Sequence, residues 1–316
     1  MHICIVTNAA KASLAGNRIT ANRWARIFRQ IGHRVTIDQK FHADCDMLIG
    51  IHAEKSVAQV NEFLSRYPYR QVLIVISGTD LYGQTSFSAA AKKALDAADG
   101  LVVLEGCAMQ KLPAKLQLKT TIIHQSANPP KTISEPLKSC FEVSVCGHLR
   151  PEKDPFLAAK AIHLLPESSR IKVSHVGKAL SADMKRNAEK LNKSIERYRW
   201  LGGKEHWKAR QLVARSRLMV NTSKMESSAN SIIEAVVAGV PVLATNVAGN
   251  VGVFGSEYVG LFPVGDAHAL ATLLFRAETD KKFYNLLSKQ CKKVAKTFSF
   301  ENEFQTWCDV LASLGQ

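Results

Sequence analysis

Residues 225–244, MESSANSIIEAVVAGVPVLA, carry two glutamates on either side of a polar turn. The run before them, RLMVN, predicts a buried strand, and the apolar residues of SIIEAVVAG recur at helical spacing. Gly239 followed by Pro241 is a usual helix stop, and PVLATN predicts the next strand. The stretch therefore predicts a strand–helix–strand unit of a parallel sheet, with Glu226 in the loop and Glu234 one turn into the helix.

The polar turn has the chemistry of an anion site. The first N–H groups of a helix lack intrahelical acceptors, and the helix dipole favours negative charge there. Glu234 lies where a carboxylate can accept hydrogen bonds from both hydroxyls of a ribose, and Glu226 lies beyond the phosphates. The residues expected at this phosphate site are Ser228, Ala229, Asn230 and Ser231.

Strand and helix patterns alternate along nearly the whole chain, which predicts an α/β protein with two doubly wound parallel sheets. Residues 127–139, ANPPKTISEPLKS, lack periodicity and are predicted to be a linker. We therefore expect domains at 1–136 and 137–296, with an amphipathic helix within 297–316 that packs on the first domain. Ligands of such sheets bind at the carboxyl ends of the strands, so the active site is expected in a cleft between the domains.

Composition limits the class of protein. The 316 residues include seven cysteines without a C-x-x-C pair, so we predict reduced thiols in a cytoplasmic protein rather than disulfides or a zinc site. No apolar run approaches the ~20 residues of a membrane span, and the first residues read as a strand rather than a secretion signal. Neither membrane insertion nor secretion is therefore expected.

The net charge of +15 calls for anionic partners. A nucleic-acid-binding protein is one alternative, but the chain has no zinc finger and no RNP-type strand. The Asp-x-Asp at 44–46, DCD, lies at a strand entry and is not expected to bind metal. Anionic small molecules therefore account for the charge better than a nucleic acid does.

The segment from Glu226 to Glu234 resembles the Glu-x7-Glu motif of retaining GT-B glycosyltransferases that use nucleotide-diphospho-sugars. VCGHLRPEKDP (145–155) is similar to the first strand and loop of their donor domain, which implies that Lys153 binds the diphosphate together with His148 or Arg150. WLGG (200–203) implies that Gly202 lies near the base, and GLFPVGD (260–266) is similar to the closing turn of that domain. The resemblance implies a GT-B fold of two Rossmann-like domains and no metal or other cofactor.

The first half offers candidates for an acceptor site. The loop TNAAKASLAGNRITANRW (7–24) has no G-x-G-x-x-G, which argues against a nicotinamide or flavin enzyme. IHAEKS (51–56) and SGTDLY (77–82) each end a predicted strand at the expected cleft edge. Candidates for binding an anionic acceptor are Asn17, Arg18, Lys55 and Thr79, and candidates for activating water are His52 and Asp80.

Longer blocks resemble the selenosugar synthases of selenoneine biosynthesis: 16–37, 77–82, 125–127 and 146–177. This resemblance implies that the selenium of selenophosphate attacks the anomeric carbon of UDP-N-acetylglucosamine or UDP-glucose. UDP then leaves, and loss of phosphate gives a 1-selenosugar. Glu226 is expected beside the donor sugar, where it positions the sugar and stabilises positive charge at the anomeric carbon.

Three alternatives stay open at this point. The alternatives to the selenosugar reaction are a GT-B glycosyltransferase with a different small-molecule or lipid acceptor, a GT-B module without catalysis, and a basic nucleic-acid-binding protein. The sequence also leaves open the preferred hexose, the anomeric outcome and the oligomeric state.

Overall fold

The computed structural model describes residues 1–11, 15–83 and 86–314. The chain divides into two compact units, Met1–Gln125 with Phe300–Gln316, and Ser126–Ser299. The division therefore falls after Gln125 rather than after residue 136, and the predicted linker 127–139 belongs to the second unit. Residues 12–14 of the loop 7–24, and residues 315–316 of the predicted C-terminal helix, lie outside the described residues.

Strands and helices alternate as the sequence patterns predict. The strands are β1 (His2–Val6), β2 (Arg34–Asp38), β3 (Met47–Ile51), β4 (Gln71–Val75), β5 (Gly100–Val103), β6 (Thr120–Ile122), β7 (Phe141–Cys146), β8 (Ile171–Val176), β9 (Tyr198–Trp200), β10 (Leu218–Asn221), β11 (Val242–Thr245) and β12 (Leu261–Phe262). The helices are α1 (Gly16–Gln30), α2 (Ala53–Arg66), α3 (Gly78–Tyr82), α4 (Ala89–Ala97), α5 (Gly106–Gln110), α6 (Ala114–Gln117), α7 (Leu157–His163), α8 (Ala182–Ser194), α9 (His206–Arg215), α10 (Asn230–Val237), α11 (Ala248–Phe254), α12 (Ala267–Thr279), α13 (Lys281–Ala295) and α14 (Phe300–Leu314).

Each unit holds one parallel sheet. The strand order is β2-β1-β3-β4-β5-β6 in the first unit and β12-β11-β10-β7-β8-β9 in the second. In both units the first strand in the chain, β1 or β7, lies inside the sheet. The chain first adds strands on one side of that strand and then crosses over to add the others on its opposite side. In the first unit, for example, Cys4 of β1 pairs with Thr36 of β2 and with Leu48 of β3. The predicted α/β fold with doubly wound parallel sheets is confirmed.

The inner strands of the first unit, β1, β3, β4 and β5, are largely apolar on both faces because helices cover both faces. Ile3 and Ile5 of β1 pack in one buried cluster with Trp24, while Cys4 and Val6 pack in the other. This alternation follows from the two-residue period of a strand.

The last helix, α14, completes the core of the first unit. Its Trp307 is fully buried and meets the rings of Trp24 and Phe28 edge-on, at 4.9 and 4.7 Å between centroids. The buried carboxylate of Glu303 accepts a hydrogen bond from Trp24 Nε1 at 2.7 Å and pairs with Arg23 at 3.0 Å. Aromatic packing and a neutralised buried charge therefore hold α14 against α1.

Candidate functional site

In the second unit, a pocket opens at the carboxyl ends of β7 and β10. These neighbouring strands flank the point where the direction of the crossovers reverses, which is where open α/β sheets bind ligands. The pocket is lined by Val145, Cys146, Gly147, Lys153, Pro155, His175, Val220, Asn221, Thr222 and Ser223.

The loops after β7 and β10 are tied together. Pro151–Lys153 form one turn of 3-10 helix, and Asp154 follows in the left-handed region at φ 39°. The Thr222 hydroxyl donates to the carbonyl oxygens of Lys153 and Asp154, at 2.8 and 3.0 Å. The N–H of Lys224 donates to the Glu152 carbonyl at 2.8 Å. These contacts fix Lys153 beside the loop that carries Glu226.

Lys153 and Glu226, both predicted site residues, form an ion pair through Nζ and Oε1. The Glu226 side chain is only 10% exposed, and its Oε1 also accepts from Ser223 Oγ at 2.7 Å and Asn221 Nδ2 at 3.4 Å. Burial acts to raise the pKa of Glu226, but Lys153 and the two hydrogen bonds outweigh it and lower the pKa. Glu226 is therefore an ionised carboxylate held at the pocket.

The start of α10 offers unpaired polar groups. Ser227 and Ser228 are buried, and neither hydroxyl has a hydrogen-bond partner among the described residues. Ala229, the residue before the helix, gives no side-chain cap. A buried hydroxyl without a partner is costly, and the N–H groups of a first helical turn also lack intrahelical acceptors. This arrangement suits an anion, with Asn230 and Ser231 forming the first turn itself.

Gly249 of α11 allows the loop of Glu226 to pack tightly. A Cβ at this position would collide with the carbonyl oxygens of Glu226 and Ser227. Because glycine has no Cβ, α11 approaches the backbone of the loop directly and supports it from behind.

Glu234 lies on α10 with its side chain 11% exposed. Its Oε1 is 2.6 Å from Nε2 of His206 and 3.9 Å from Nε of Arg210, both on α9. Neither His206 nor Arg210 is among the residues predicted from the sequence. The available signal is their i,i+4 spacing, which places them on one face of a helix. The structure therefore surrounds a predicted ribose ligand with two unpredicted side chains.

Cys146, at the end of β7, lines the pocket. Burial raises the pKa of the Cys146 thiol to about 12, and the charge of Glu234 adds to this rise. Lys153 opposes it. Lys153 lines the same pocket as Cys146.

His148 and Arg150 differ in how they are held. His148 Nδ1 accepts the N–H of Lys178 at 3.2 Å, and burial, followed by the charges of Arg150, Lys153 and Lys178, lowers the pKa of His148. The imidazole is therefore neutral at pH 7. Arg150 is 44% exposed at its side chain and lies 3.9 Å from Glu152. Lys153 is the more buried of the two predicted cations.

Gly202, predicted to lie near a base, adopts a left-handed φ of 68°. Its carbonyl accepts the N–H of Gly177 at 2.9 Å. The positive φ favours glycine because a Cβ is disfavoured there. This places the turn after β9 beside the turn after β8.

In the first unit, His52 lies between Asp80 and Thr79. Its Nδ1 is 2.6 Å from Asp80 Oδ1, and its Nε2 is 2.8 Å from Thr79 Oγ1. His52 is buried and has φ 78°, which is unusual for a residue with a Cβ. Nδ1 therefore carries the proton donated to Asp80, and Nε2 faces the hydroxyl.

Both carboxylate oxygens of Asp80 accept hydrogen bonds from backbone N–H groups. Oδ2 accepts from the N–H groups of Ala53 and Ser77, at 3.0 and 2.8 Å, and Oδ1 accepts from the N–H of Glu54 at 3.1 Å. Burial acts to raise the pKa of Asp80, but His52 and these N–H groups lower it. The prediction that Asp80 itself activates water does not agree with this geometry. Asp80 instead holds His52 in one tautomer and orientation.

The predicted anion ligands of the first unit differ in exposure. Arg18 is 7% exposed, and its Nε has no hydrogen-bond partner in the described part of the chain. Asn17 beside it is half-buried, and Lys55 on α2 is exposed. Since β1, β3 and β4 are neighbours, the helix starts that follow them and carry Arg18, His52 and Thr79 lie at the carboxyl edge of one sheet. A buried guanidinium with an unused donor suits an anion.

The DCD segment is used structurally. Asp46 accepts the His2 N–H at 2.7 Å, and Asp44 pairs with Arg34 at 3.0 Å. Across residues 1–11, 15–83 and 86–314, no three His, Cys, Asp or Glu side chains converge in a group able to hold a metal ion. Nor is any helix of those ranges both long enough and apolar enough to cross a bilayer.

Solved structures resemble this chain over most or nearly all of its length. Anabaena HepE in complex with UDP-glucose aligns with TM-score 0.80 at 16% identity, covering 99% of this chain and 100% of that one. Sucrose-phosphate synthase from Thermosynechococcus elongatus gives TM-score 0.81 at 17% identity, covering 99% and 98%. The pneumococcal O-GlcNAc transferase GtfA in complex with UDP and GlcNAc gives 0.67 at 14%, covering 85% and 57%. At these identities the likeness establishes the fold, which is GT-B.

Comparison with curated protein sequences gave no match. The family model described as glycosyl transferases group 1 matches residues 133–294, just over half of the chain. This range contains the pocket, the Lys153–Glu226 pair and the start of α10. The chain belongs to the glycosyl transferases group 1 family.

Proposed function

We propose that this enzyme joins selenophosphate to the anomeric carbon of a UDP-sugar, UDP-N-acetylglucosamine or UDP-glucose, and forms a 1-selenosugar for selenoneine biosynthesis. The observation that carries the proposal is the partly buried Lys153–Glu226 pair at the pocket, beside the unpartnered hydroxyls of Ser227 and Ser228. It combines a cation for a diphosphate with a carboxylate for a sugar in one small volume.

The donor is proposed to bind in the second unit. Lys153 and the start of α10 hold the diphosphate, Glu234 holds the ribose, and the backbone near Gly202 meets the base. Crystal structures of HepE with UDP-glucose and of GtfA with UDP and GlcNAc support a nucleotide-sugar donor. Arg150 is proposed as a second, more exposed phosphate contact.

Departure of UDP is the step that the donor site favours. When the bond between the anomeric carbon and the phosphate oxygen breaks, negative charge grows on UDP and positive charge on the sugar. Lys153 and the helix N-terminus stabilise the negative charge on UDP, and the ionised Glu226 stabilises the positive charge on the sugar. This division of charge requires no metal ion.

The acceptor is proposed to bind in the first unit. Arg18 offers a buried, unused donor to the phosphate group, with Asn17, Lys55 and Thr79 as further contacts. The selenium of selenophosphate is already anionic and attacks the anomeric carbon without a general base. The new bond is carbon–selenium, and the electron pair of the broken carbon–oxygen bond leaves with UDP.

Loss of phosphate completes the reaction. Water attacks phosphorus, the selenium–phosphorus bond breaks, and inorganic phosphate and the selenolate of the sugar are released. His52, held by Asp80, is proposed to accept the proton of the water at Nε2, next to the Thr79 hydroxyl.

Mass spectrometry tests the reaction. Purified protein is incubated with each UDP-sugar, with and without selenophosphate. We expect a selenium isotope pattern on a hexose or hexosamine, with one UDP released per selenosugar, only when both substrates are present. UDP binding without a selenium product would overturn the selenophosphate assignment and favour a glycosyltransferase with another acceptor. Salt-sensitive binding of RNA or DNA without UDP binding would favour the nucleic-acid alternative.

Two additions separate the parts of this proposal. His52→Gln is expected to slow the second step and let the phosphorylated selenosugar accumulate, with exposed His42→Gln as the matched control. Addition of a chelator is expected to leave turnover unchanged. Loss of turnover that a divalent cation restores would contradict the metal-independent mechanism.

A further inference from the structure

The contact between α9 and α10 brings His206 and Arg210 to one oxygen of Glu234. His206 Nε2 lies 2.6 Å from Oε1, which is the distance of a strong, charge-assisted hydrogen bond. Arg210 Nε lies 3.9 Å from the same oxygen and has no hydrogen-bond partner among the residues described. Both of these contacts are made with Oε1, and in the described part of the chain neither side chain contacts Oε2.

A carboxylate held on one side has a defined orientation. Rotation of the Glu234 carboxyl group would break the His206 contact and move negative charge away from Arg210. Oε2 therefore keeps a fixed direction, and its lone pairs stay available to a ligand. Glu234 lies on α10, whose start follows the pocket-lining loop after β10.

We propose that His206 and Arg210 are positioning residues that fix Glu234 so that Oε2 receives the hydroxyls of the donor ribose. They thereby set the preference of this enzyme for a ribonucleotide over a 2′-deoxyribonucleotide. The inference rests on the proposed use of a UDP-sugar, and it adds the residues that determine which pentose the site accepts.

A merely structural role for His206 predicts something different. Its side chain is 38% exposed, so the pair adds little to the stability of the fold. A general loosening of the site would weaken every nucleotide by a similar factor. Loss of orientation at Glu234 would instead weaken only those nucleotides whose 2′-hydroxyl contacts Oε2.

Calorimetric titration of the full chain with UDP and 2′-deoxy-UDP distinguishes the two roles. The wild type is expected to prefer UDP by about 30-fold, the range of hydrogen bonds to a charged group. His206→Phe removes the donor and is expected to reduce this ratio to about 3-fold, mostly through weaker UDP binding. His206→Gln restores an N–H donor near the position of Nε2 and is expected to recover most of the preference.

Lys208→Gln serves as the matched control, because Lys208 is an exposed neighbour on α9 that pairs with Glu205 rather than with Glu234. Its ratio is expected to equal that of the wild type. An unchanged ratio in His206→Phe, with that variant folded by circular dichroism, would overturn the positioning role while leaving the proposed donor intact. Absence of UDP binding by the wild type would overturn the proposed donor itself, and the inference with it.

Discussion

The two units contain the same kind of sheet but hold their carboxylates in different ways. In the second unit, side chains hold both glutamates among the described residues. Glu226 contacts Lys153, Ser223 and Asn221, and Glu234 contacts His206 and Arg210. In the first unit, Asp80 accepts backbone N–H groups at the starts of α2 and α3.

The difference separates the carboxylates proposed to bind a ligand from one that holds the backbone. Side-chain partners can rearrange around a ligand with little change in the backbone. Backbone N–H groups at a helix start cannot leave without unfolding the turn. In the proposed reaction, Asp80 therefore acts only through His52, whereas Glu226 acts directly.

The largest expected effect of a single substitution is that of Glu226→Gln. Because it removes the negative charge proposed to face the anomeric carbon, kcat should fall by about 10³-fold, at the upper end for loss of one electrostatic contact. UDP affinity should change little. Steady-state kinetics and UDP titration measure both, with the exposed Glu205→Gln as control. A variant that retains more than a tenth of the wild-type kcat would contradict a direct role.

Asp80→Asn tests the scaffolding side of the comparison. The substitution replaces one carboxylate oxygen, which accepts backbone hydrogen bonds, with an NH₂ group, which can only donate. Backbone N–H groups then lose their acceptor, so the free energy of unfolding should fall by about 3 kcal/mol. Chemical denaturation measures the loss, and Asp183→Asn on the surface of α8 should leave stability unchanged. An Asp80→Asn variant as stable as the wild type would contradict the role of Asp80 in holding the starts of α2 and α3.

Two buried histidines sharpen the comparison further. His52 has the Asp80 carboxylate as a partner. Within the described ranges, the hydrogen-bond partners of His175 are the Tyr198 hydroxyl at 2.9 Å and the Gly147 carbonyl at 3.3 Å. Burial lowers the pKa of His175 to about 4, with the Gly147 hydrogen bond opposing the shift only in part.

Because the folded pKa of His175 lies below its ordinary value of 6.5, the unfolded chain takes up the proton first as the pH falls. Stability is then lost between pH 6.5 and about 4. From pH 7 to pH 5 the loss from His175 should be about 2 kcal/mol. Denaturation curves at several pH values should show a flatter profile for His175→Gln. Equal slopes for both proteins would mean that His175 does not titrate in this way.

The smallest expected effects concern the two cations of the donor loop. Lys153→Ala should weaken UDP by about 10-fold and uridine by much less, because only UDP carries the diphosphate. Arg150→Ala should weaken UDP by about 2-fold, since its side chain is 44% exposed and screened by solvent. Titration with both ligands gives the ratios. Equal losses for UDP and uridine in Lys153→Ala would show that Lys153 does not contact the phosphates.

The donor pocket was the more predictable of the two sites. Its loop, helix start and next strand are contiguous in the chain. Local periodicity and the helix stop at Gly239 therefore predict that Glu226 lies in the loop and Glu234 in the helix, without any knowledge of tertiary contacts. The pairing of Lys153 with Glu226 required the structure, because 73 residues separate them in the chain.

Tertiary structure corrected the first unit more strongly. SGTDLY was predicted as the end of a strand at the cleft edge, but β4 ends at Val75 and Ser77 caps the short helix α3. The helix turns Asp80 inward, where it caps α2 as well. Short polar residues serve equally well as caps and as ligands, so sequence alone does not distinguish the two uses.

The amino-acid sequence by itself determined the alternation of strands and helices, the doubly wound parallel sheets and the two glutamates of the donor motif. Those features depend on spacing within one element or between adjacent elements. Only the tertiary structure decided the division after Gln125, the burial of Arg18, the use of Asp80 as a scaffold and the approach of His206 to Glu234. Each of these depends on which distant surfaces pack together, and hydrophobic burial, which drives that packing, is non-directional and leaves no local pattern for individual polar contacts.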